Sequence, residues 1–364
     1  MHIPDGYLSP QTCAAMTAAT VPFWAMASRR VKRVVTTQYV PLLAVGAASC
    51  FLVMMFNVPV PDGTTAHAVG AVLVAVLLGP WAAVIAVSVA LAIQALFFGD
   101  GGVLAYGANS FNMAVVMPFV GYGVYRLTGR NASLTSPRRA MAAGLGAYAG
   151  INAAALCAAV EFGVQPDLFH RADGTPLYAP FHLAHTIPAM VGTHLVVAGM
   201  VELVLTVGVV RYLQRANVAV LRINHPGMPD GGHVDGGHRA EAGATGADEV
   251  ADVGAPPRPG WRWAFVGLGV MVLLTPLGLL APGSAFGEDA PQDLDVQRYH
   301  LDAVPSGLRH YAGFFHHALF DGYDFTNDAH PALGYLASAA FGLLVTGAVV
   351  WGVAALVRMA SADR

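Results

Sequence analysis

Hydrophobic residues in this chain come in long unbroken runs rather than in the spaced stripe of a soluble helix. Nine runs stand out, at approximately 9–28, 36–57, 66–79, 81–98, 108–127, 139–161, 182–212, 262–282 and 333–357. A helix crossing a bilayer needs about 20 such residues, so each run is expected to be a membrane span. The third is short and the seventh long. Between the seventh and eighth lies 223–260, rich in Gly, Ala, Asp and Pro and without apolar period, which reads as a flexible linker. The expected fold is therefore all-α, a polytopic membrane helical bundle. A seven-span unit covers 1–222, the linker 223–260, and a two-span unit 261–364. The loop joining the last two spans, about 283–332, is acidic: Glu288, Asp289, Asp293, Asp295, Asp302, Asp321, Asp324 and Asp328 stand against two arginines.

Composition agrees. The 364 residues are 55% hydrophobic and only 11% charged, against about 25% charged in typical soluble domains. The net charge of −3 says little, but its distribution orients the chain. With the N-terminus outside, sixteen of the 19 Lys and Arg fall on the cytoplasmic side, and only Arg171, Arg298 and Arg309 lie outside. That is the bias expected of a multi-pass plasma-membrane protein surrounded by lipid, and no nucleic-acid partner is expected. Cys13, Cys50 and Cys157 are far apart within apolar stretches and read as packing thiols. The single lysine, Lys32, precedes Arg33, so no phosphate-binding G-x-x-x-x-G-K-[ST] loop exists. Any ATP hydrolysis would belong to another chain.

Candidate chemistry begins at the first residue. The chain starts Met1-His2-Ile3-Pro4-Asp5-Gly6, with no basic stretch ahead of a hydrophobic core, so no cleavable leader is expected. The terminal amine, the peptide nitrogen of His2 and its imidazole can close two fused chelate rings and offer three nitrogens in one plane. Square-planar nitrogen sites suit Ni(II) or Cu(II), and related ones hold Co(II). A fourth nitrogen must come from elsewhere. His67 follows the turn Pro59-Val60-Pro61-Asp62-Gly63-Thr64-Thr65 and is expected in the first turn of the third span, outside. Its neutral imidazole would complete the square. The competing reading makes Thr64 and Thr65 helix caps and His67 a polar boundary residue.

Other polar residues stand inside apolar runs. Asn109 and Asn112, three apart, are expected on one helix face, bracing the loop that carries the chelator or the N-terminal segment, or simply bonding helix to helix. Asp100, His194 and Glu202 join them as side chains that brace the ligands. Glu202, well inside an apolar helix, is a functional candidate by default, neutral or paired with His194. His182 and His185 form an H-x-x-H pair at a boundary. His225, His233 and His238 alternate with Asp230 and Asp235 in the linker, which reads as inert or as a loose ion holder. His300, His310, His316, His317 and His330 lie in the acidic loop.

Taken in order, Met1-His2-Ile3-Pro4-Asp5-Gly6, Gly63-Thr64-Thr65-Ala66-His67, Leu78-Gly79-Pro80-Trp81-Ala82-Ala83, Gly99-Asp100-Gly101-Gly102, Gly107-Ala108-Asn109, Asn112-Met113 and His194 with Glu202 and Thr206 resemble the CbiM/NikM family. That family comprises the substrate-capture components of cobalt and nickel importers of the energy-coupling-factor (ECF) type. The resemblance covers roughly 1–220. It implies that the N-terminal segment folds into the bundle and that Met1, His2 and His67 hold the ion. It also implies partner chains, namely a membrane coupling subunit and cytoplasmic ATPase subunits, and a cargo of Co(II), feeding cobalamin synthesis, with Ni(II) as the alternative; cobalt is the first expectation on the family name alone. No cofactor is implied; the ion is cargo. The second unit resembles, more loosely, the small subunit fused in some of these systems that assists loading. Met54 stands where family members often have glutamine, and Pro61-Asp62-Gly63 replaces a glycine-richer turn. The expectation is a transporter component, not an enzyme. The competitors are an intramembrane metallo-enzyme on His182, His185 and Glu202, and a passive metal channel.

Overall fold

A computed structural model describes residues 1–31, 40–60, 64–229, 261–281, 285–325 and 330–362. The architecture is almost wholly helical. Helix α1 (Pro10–Val31) follows Ser9, whose hydroxyl accepts the Thr12 amide at 3.0 Å as an N-cap. After α2 (Val40–Met54) comes a small antiparallel hairpin, β1 (Val58–Val60) on β2 (Thr64–Ala66), with Val58 opposite Ala66. Helix α3 (Ala71–Leu78) is short. Helix α4 (Pro80–Ile93) continues as a π-helical turn, Gln94–Phe98. Helix α5 (Tyr106–Asn109) passes through a second π segment, Ser110–Val116, into α6 (Met117–Thr128). Helix α7 (Pro137–Gly163) and the turn α8 (Gln165–Leu168) precede α9 (Leu183–Thr193), a third π segment His194–Ala198, α10 (Gly199–Ala216) and α11 (Val218–Arg222). In the second unit, α12 (Trp261–Leu274) and a 3₁₀ segment lead to a long loop, which holds α13 (Ser306–Tyr311) and ends at α14 (Pro331–Ala362).

Among the described residues four helical stretches are long and apolar enough to cross a membrane: Pro80–Phe98, Pro137–Leu168, Leu183–Ala216 and Pro331–Leu356. Each of the nine expected runs contains helix, but the third does not form a span. Residues 66–70 leave β2 as an irregular turn, and the eight-residue α3 ends at Gly79. Gly70 and Gly79, with φ of 78° and 90°, take backbone conformations that no helix continues. His67 therefore lies in the turn after a strand, not in a helix, and Thr65 is a strand residue rather than a cap. This non-helical backbone is buried within the protein, which supplies its partners.

Small residues set the core. Helices α6 and α7 pack so closely that a Cβ on Gly146 would come 2.4 Å from the Gly121 carbonyl oxygen; such contacts gain van der Waals packing where lipid supplies no hydrophobic drive. Two placements differ from the expected division into units. Residues 223–229, expected as linker, are docked: Asn224 donates to the carbonyls of Ala75 and Val76, and the Leu134 amide donates to Pro229. His233, His238, Asp230 and Asp235 lie outside the described residues, as does Asp328. The second unit is also packed on the first, with α14 against α2 and the loop 285–325 over the N-terminal segment.

Candidate metal centre

The chain enters the bundle with its first residues. Met1, His2 and Ile3 are 3%, 2% and 0% exposed, and a buried backbone must find partners. Asn109 supplies two for Ile3: its Oδ1 accepts the Ile3 amide at 2.8 Å and its Nδ2 donates to the Ile3 carbonyl at 3.0 Å. The Gly102 amide donates to the same carbonyl at 2.8 Å. Asp5, which sequence reasoning left as part of a motif, accepts the amides of Val103, Leu104 and Ala105 at 3.1, 2.8 and 3.2 Å. Burial pushes its carboxyl up, and those three amides pull it partly back. Gly102 has to be glycine here, since a Cβ would lie 2.1 Å from Asp5 Oδ1. The Gly99–Gly102 loop and the start of α5 thus form a cradle shaped to residues 1–5.

Three imidazoles gather at this point with the same unusual property. His67 Nδ1 contacts the Ala68 carbonyl at 3.0 Å, His194 Nδ1 the Met190 carbonyl at 2.7 Å, and His2 Nδ1 the Asp100 carboxylate at 3.2 Å. With each Nδ1 assigned as donor, each Nε2 keeps its lone pair, and all three Nε2 atoms are buried with no hydrogen-bond partner among the described residues. The His2 and His67 rings stack at 4.9 Å between centroids, 27° apart. A buried nitrogen acceptor left unpaired costs about 1–3 kcal/mol, so a set of them marks a place built for something else to bind. His194 begins the third π segment, Gln94 the first, and Asn109 directly precedes the second. Such insertions re-aim side chains and recur at functional sites. No sequence signal announced them.

The bracing side chains divide. Glu202 Oε1 accepts the amides of Val69 and Gly70 at 2.8 and 2.7 Å, so it fixes the turn that carries His67 rather than pairing with His194. Asp100 orients His2. Asn112, expected to share a face with Asn109, instead donates to Glu161 at 2.8 Å, because the π segment begins between the two and breaks the α-helical register. Glu161 was not singled out in the sequence, although an acid inside an apolar run is a usable signal. His182 and His185 are exposed, and His182 meets only the exposed Asp167 at 3.3 Å. Neither approaches Glu202 to form a three-ligand cluster, and the described residues offer one group of this kind only: His2, His67 and Glu288, whose ligand atoms lie within 4.8 Å of one another.

Glu288 comes from the second unit. Its Oε1 accepts from the Met1 amine at 3.1 Å. The same loop sends in Tyr323, whose hydroxyl donates to Asp100 Oδ2 at 2.5 Å and receives Gln94 Nε2 at 2.9 Å. Tyr7, four residues past Ile3, donates to the Asp289 carbonyl at 2.8 Å. Gln94, Tyr323 and Glu288 were not named as site residues from sequence; Glu288 stood only in a count of acidic groups.

The chain is similar to known metal-transport proteins. A family described as the cobalt uptake substrate-specific transmembrane region, CbiM, matches residues 2–220. A Rhodobacter capsulatus protein named fused nickel transport protein NikMN is 53% identical over 80% of this chain and 76% of its own length. A Lactiplantibacillus plantarum protein named probable fused nickel transport protein LarMN is 43% identical over 95% of each. A Lachnoclostridium phytofermentans cobalt transport protein CbiM is 35% identical over 35% of this chain and 52% of its own. A crystal structure described as a truncated transition metal transporter superposes with a TM-score of 0.55 at 57% identity, covering 58% of this chain and 98% of that one.

Proposed function

This chain belongs to the CbiM family of substrate-specific transmembrane regions for cobalt uptake, and from that premise we propose that it captures Ni(II) or Co(II) for an ATP-driven importer. The observation that carries the reading is the buried His67 imidazole, its Nε2 without a partner among the described residues, stacked on the His2 ring beside the terminal amine. Nitrogen donors of this kind take late first-row ions and leave Mg(II) and Ca(II) in water. The ligands in this reading are the Met1 amine, the peptide nitrogen and imidazole of His2, and the His67 imidazole. The fused chelate closes through His2 Nδ1, the atom that Asp100 now holds at 3.2 Å, so the ion takes that nitrogen from the carboxylate. Asn109, Asp5, Glu202 and Asp100 hold the donors in place.

Nickel is the preferred cargo, because the two relatives sharing most of this chain, fused second unit included, carry nickel names. The positive-inside bias puts the site on the outer face. A membrane coupling subunit and cytoplasmic ATPase subunits complete the importer, since the sequence has no phosphate-binding loop. The metallo-enzyme reading loses its support with His182 and His185 exposed and apart from Glu202.

Calorimetric titration of the purified chain with Ni(II) and Co(II) tests the assignment, alongside His2→Ala, His67→Ala and a form with one residue added before Met1. Each change is expected to lower affinity for both ions by more than about 100-fold, beyond the 10–100-fold typical of losing an outer partner. Wild-type affinity in all three would remove Met1, His2 and His67 from the site.

A further inference from the structure

We propose that Glu288 is a transfer ligand: it takes the hydrated ion from solvent and hands it to the buried nitrogens. The proposal rests on the metal-capture reading and deepens it, assigning to the fused second unit a donor in the site. The nitrogens have almost no access of their own. His2 is 2% and His67 4% exposed, and the Met1 side chain is 0% exposed. Glu288 is 21% exposed while its Oε1 touches the Met1 amine at 3.1 Å. It is the one member of the three-residue group that reaches both water and the donors.

Its chemistry suits the role. An ion arriving as a hexahydrate must shed water, and a buried imidazole Nε2 cannot approach it until some is gone. A carboxylate oxygen resembles a water ligand and replaces one readily. The bond from the ion to Glu288 Oε1 forms as a water leaves. It breaks as the amine, the His2 peptide nitrogen, His2 Nδ1 and His67 take the ion and its remaining waters leave; one proton from the ammonium and one from the peptide nitrogen pass to bulk water, and the His2 ring proton moves from Nδ1 to the open Nε2. The ion stays divalent throughout. The donors lie within 4.8 Å of Glu288, so the ion moves less than one side-chain length between ligands. Because a late first-row ion prefers nitrogen, the final state owes little to the carboxylate. Glu288 should govern the rate of loading and unloading, not the equilibrium.

The experiment uses the full-length chain in detergent, with Ni(II) as probe, in stopped-flow loading, chelator-driven unloading and equilibrium titration. Glu288→Gln and Glu288→Ser both remove the carboxylate. In whichever folds, loading and unloading are expected to slow together by about tenfold or more, with Kd within about threefold, because the ligand exchange that Glu288 assists is lost in both directions while the nitrogen donors are unchanged. Glu288→Asp is expected to recover part of the rate. Asp293→Asn takes the same charge from an exposed position on the same loop and is expected to load within about twofold of wild type. Wild-type loading without the carboxylate overturns the proposal. So does a higher Kd from faster unloading alone, which would make Glu288 a resident ligand. Equal slowing in Asp293→Asn overturns it too, since long-range attraction would then suffice. His67→Ala keeps the two readings separable: if it loses affinity while Glu288→Gln loads normally, only the transfer role falls.

Discussion

His67 and His225 are both buried imidazoles, and the difference between their surroundings separates a site from a strut. His225 packs near the start of α7, where its Nε2 meets the Tyr125 hydroxyl at 2.9 Å. Arg139 donates to that hydroxyl and to the carbonyls of Gly129 and Ala132. Every nitrogen of this cluster is spoken for. His67 lies instead against the N-terminal segment, its ring stacked on that of His2 at 4.9 Å. Its Nδ1 is bonded, yet its Nε2 and those of His2 and His194 are not. A saturated network rigidifies a fold; buried polar groups left without partners carry an unfavourable energy that a ligand relieves. Sequence reading placed His225 among linker histidines, inert or loosely ion-holding. Its neighbours make it a structural residue.

The sharpest break in this comparison is an exchange of losses. His67→Ala is expected to cost more than about 100-fold in Ni(II) affinity, whereas His225→Gln is expected to stay within about twofold, since distant sites without shared partners act independently. Calorimetry on the two variants checks both. Comparable losses would erase the distinction. Next in size, Asn109→Ala removes both bonds that hold Ile3. An affinity loss of about 10–100-fold is expected, as for an outer partner of a metal ligand, together with freer amide exchange across residues 2–5.

Smaller again is Tyr323→Phe, which takes one hydrogen bond from Asp100. The expected loss is about 1 kcal/mol, or roughly fivefold in affinity, measured in the same titration. The last prediction sharpens the other half of the comparison. Burial first, then the charges of Arg139 and Arg126, push His225 down to about 4. The folded state therefore disfavours the protonated ring. This contribution to stability is complete above the unfolded value of about 6.5 and is lost as pH falls from there through about 4. Melting temperature in detergent is expected to drop over that window in wild type and to drop less in His225→Gln.

Much of this was legible from the chain. Long apolar runs announce membrane helices because lipid offers the backbone no partners. The Met1-His2 start could be proposed as a chelator because its nitrogens are adjacent in sequence. Less visible was anything set by a break in periodicity. The run 66–79 is apolar enough for a span, but Gly70 and Gly79 divide it into turn and short helix, and that turn is what aims His67. Asn109 and Asn112 are three apart, yet the π segment between them sends one to the N-terminal segment and the other to Glu161.

The sequence by itself determined the class of the protein, its family and the Met1-His2 pair on which the proposed site is built, because these depend on composition and on residues next to one another. Tertiary structure alone decided which polar groups are satisfied and which are left open. It placed Glu202 on the His67 turn across 133 residues, and Glu288 on the Met1 amine across 287. Such pairings are fixed by how helices and loops pack, and packing brings together donors that no local pattern connects.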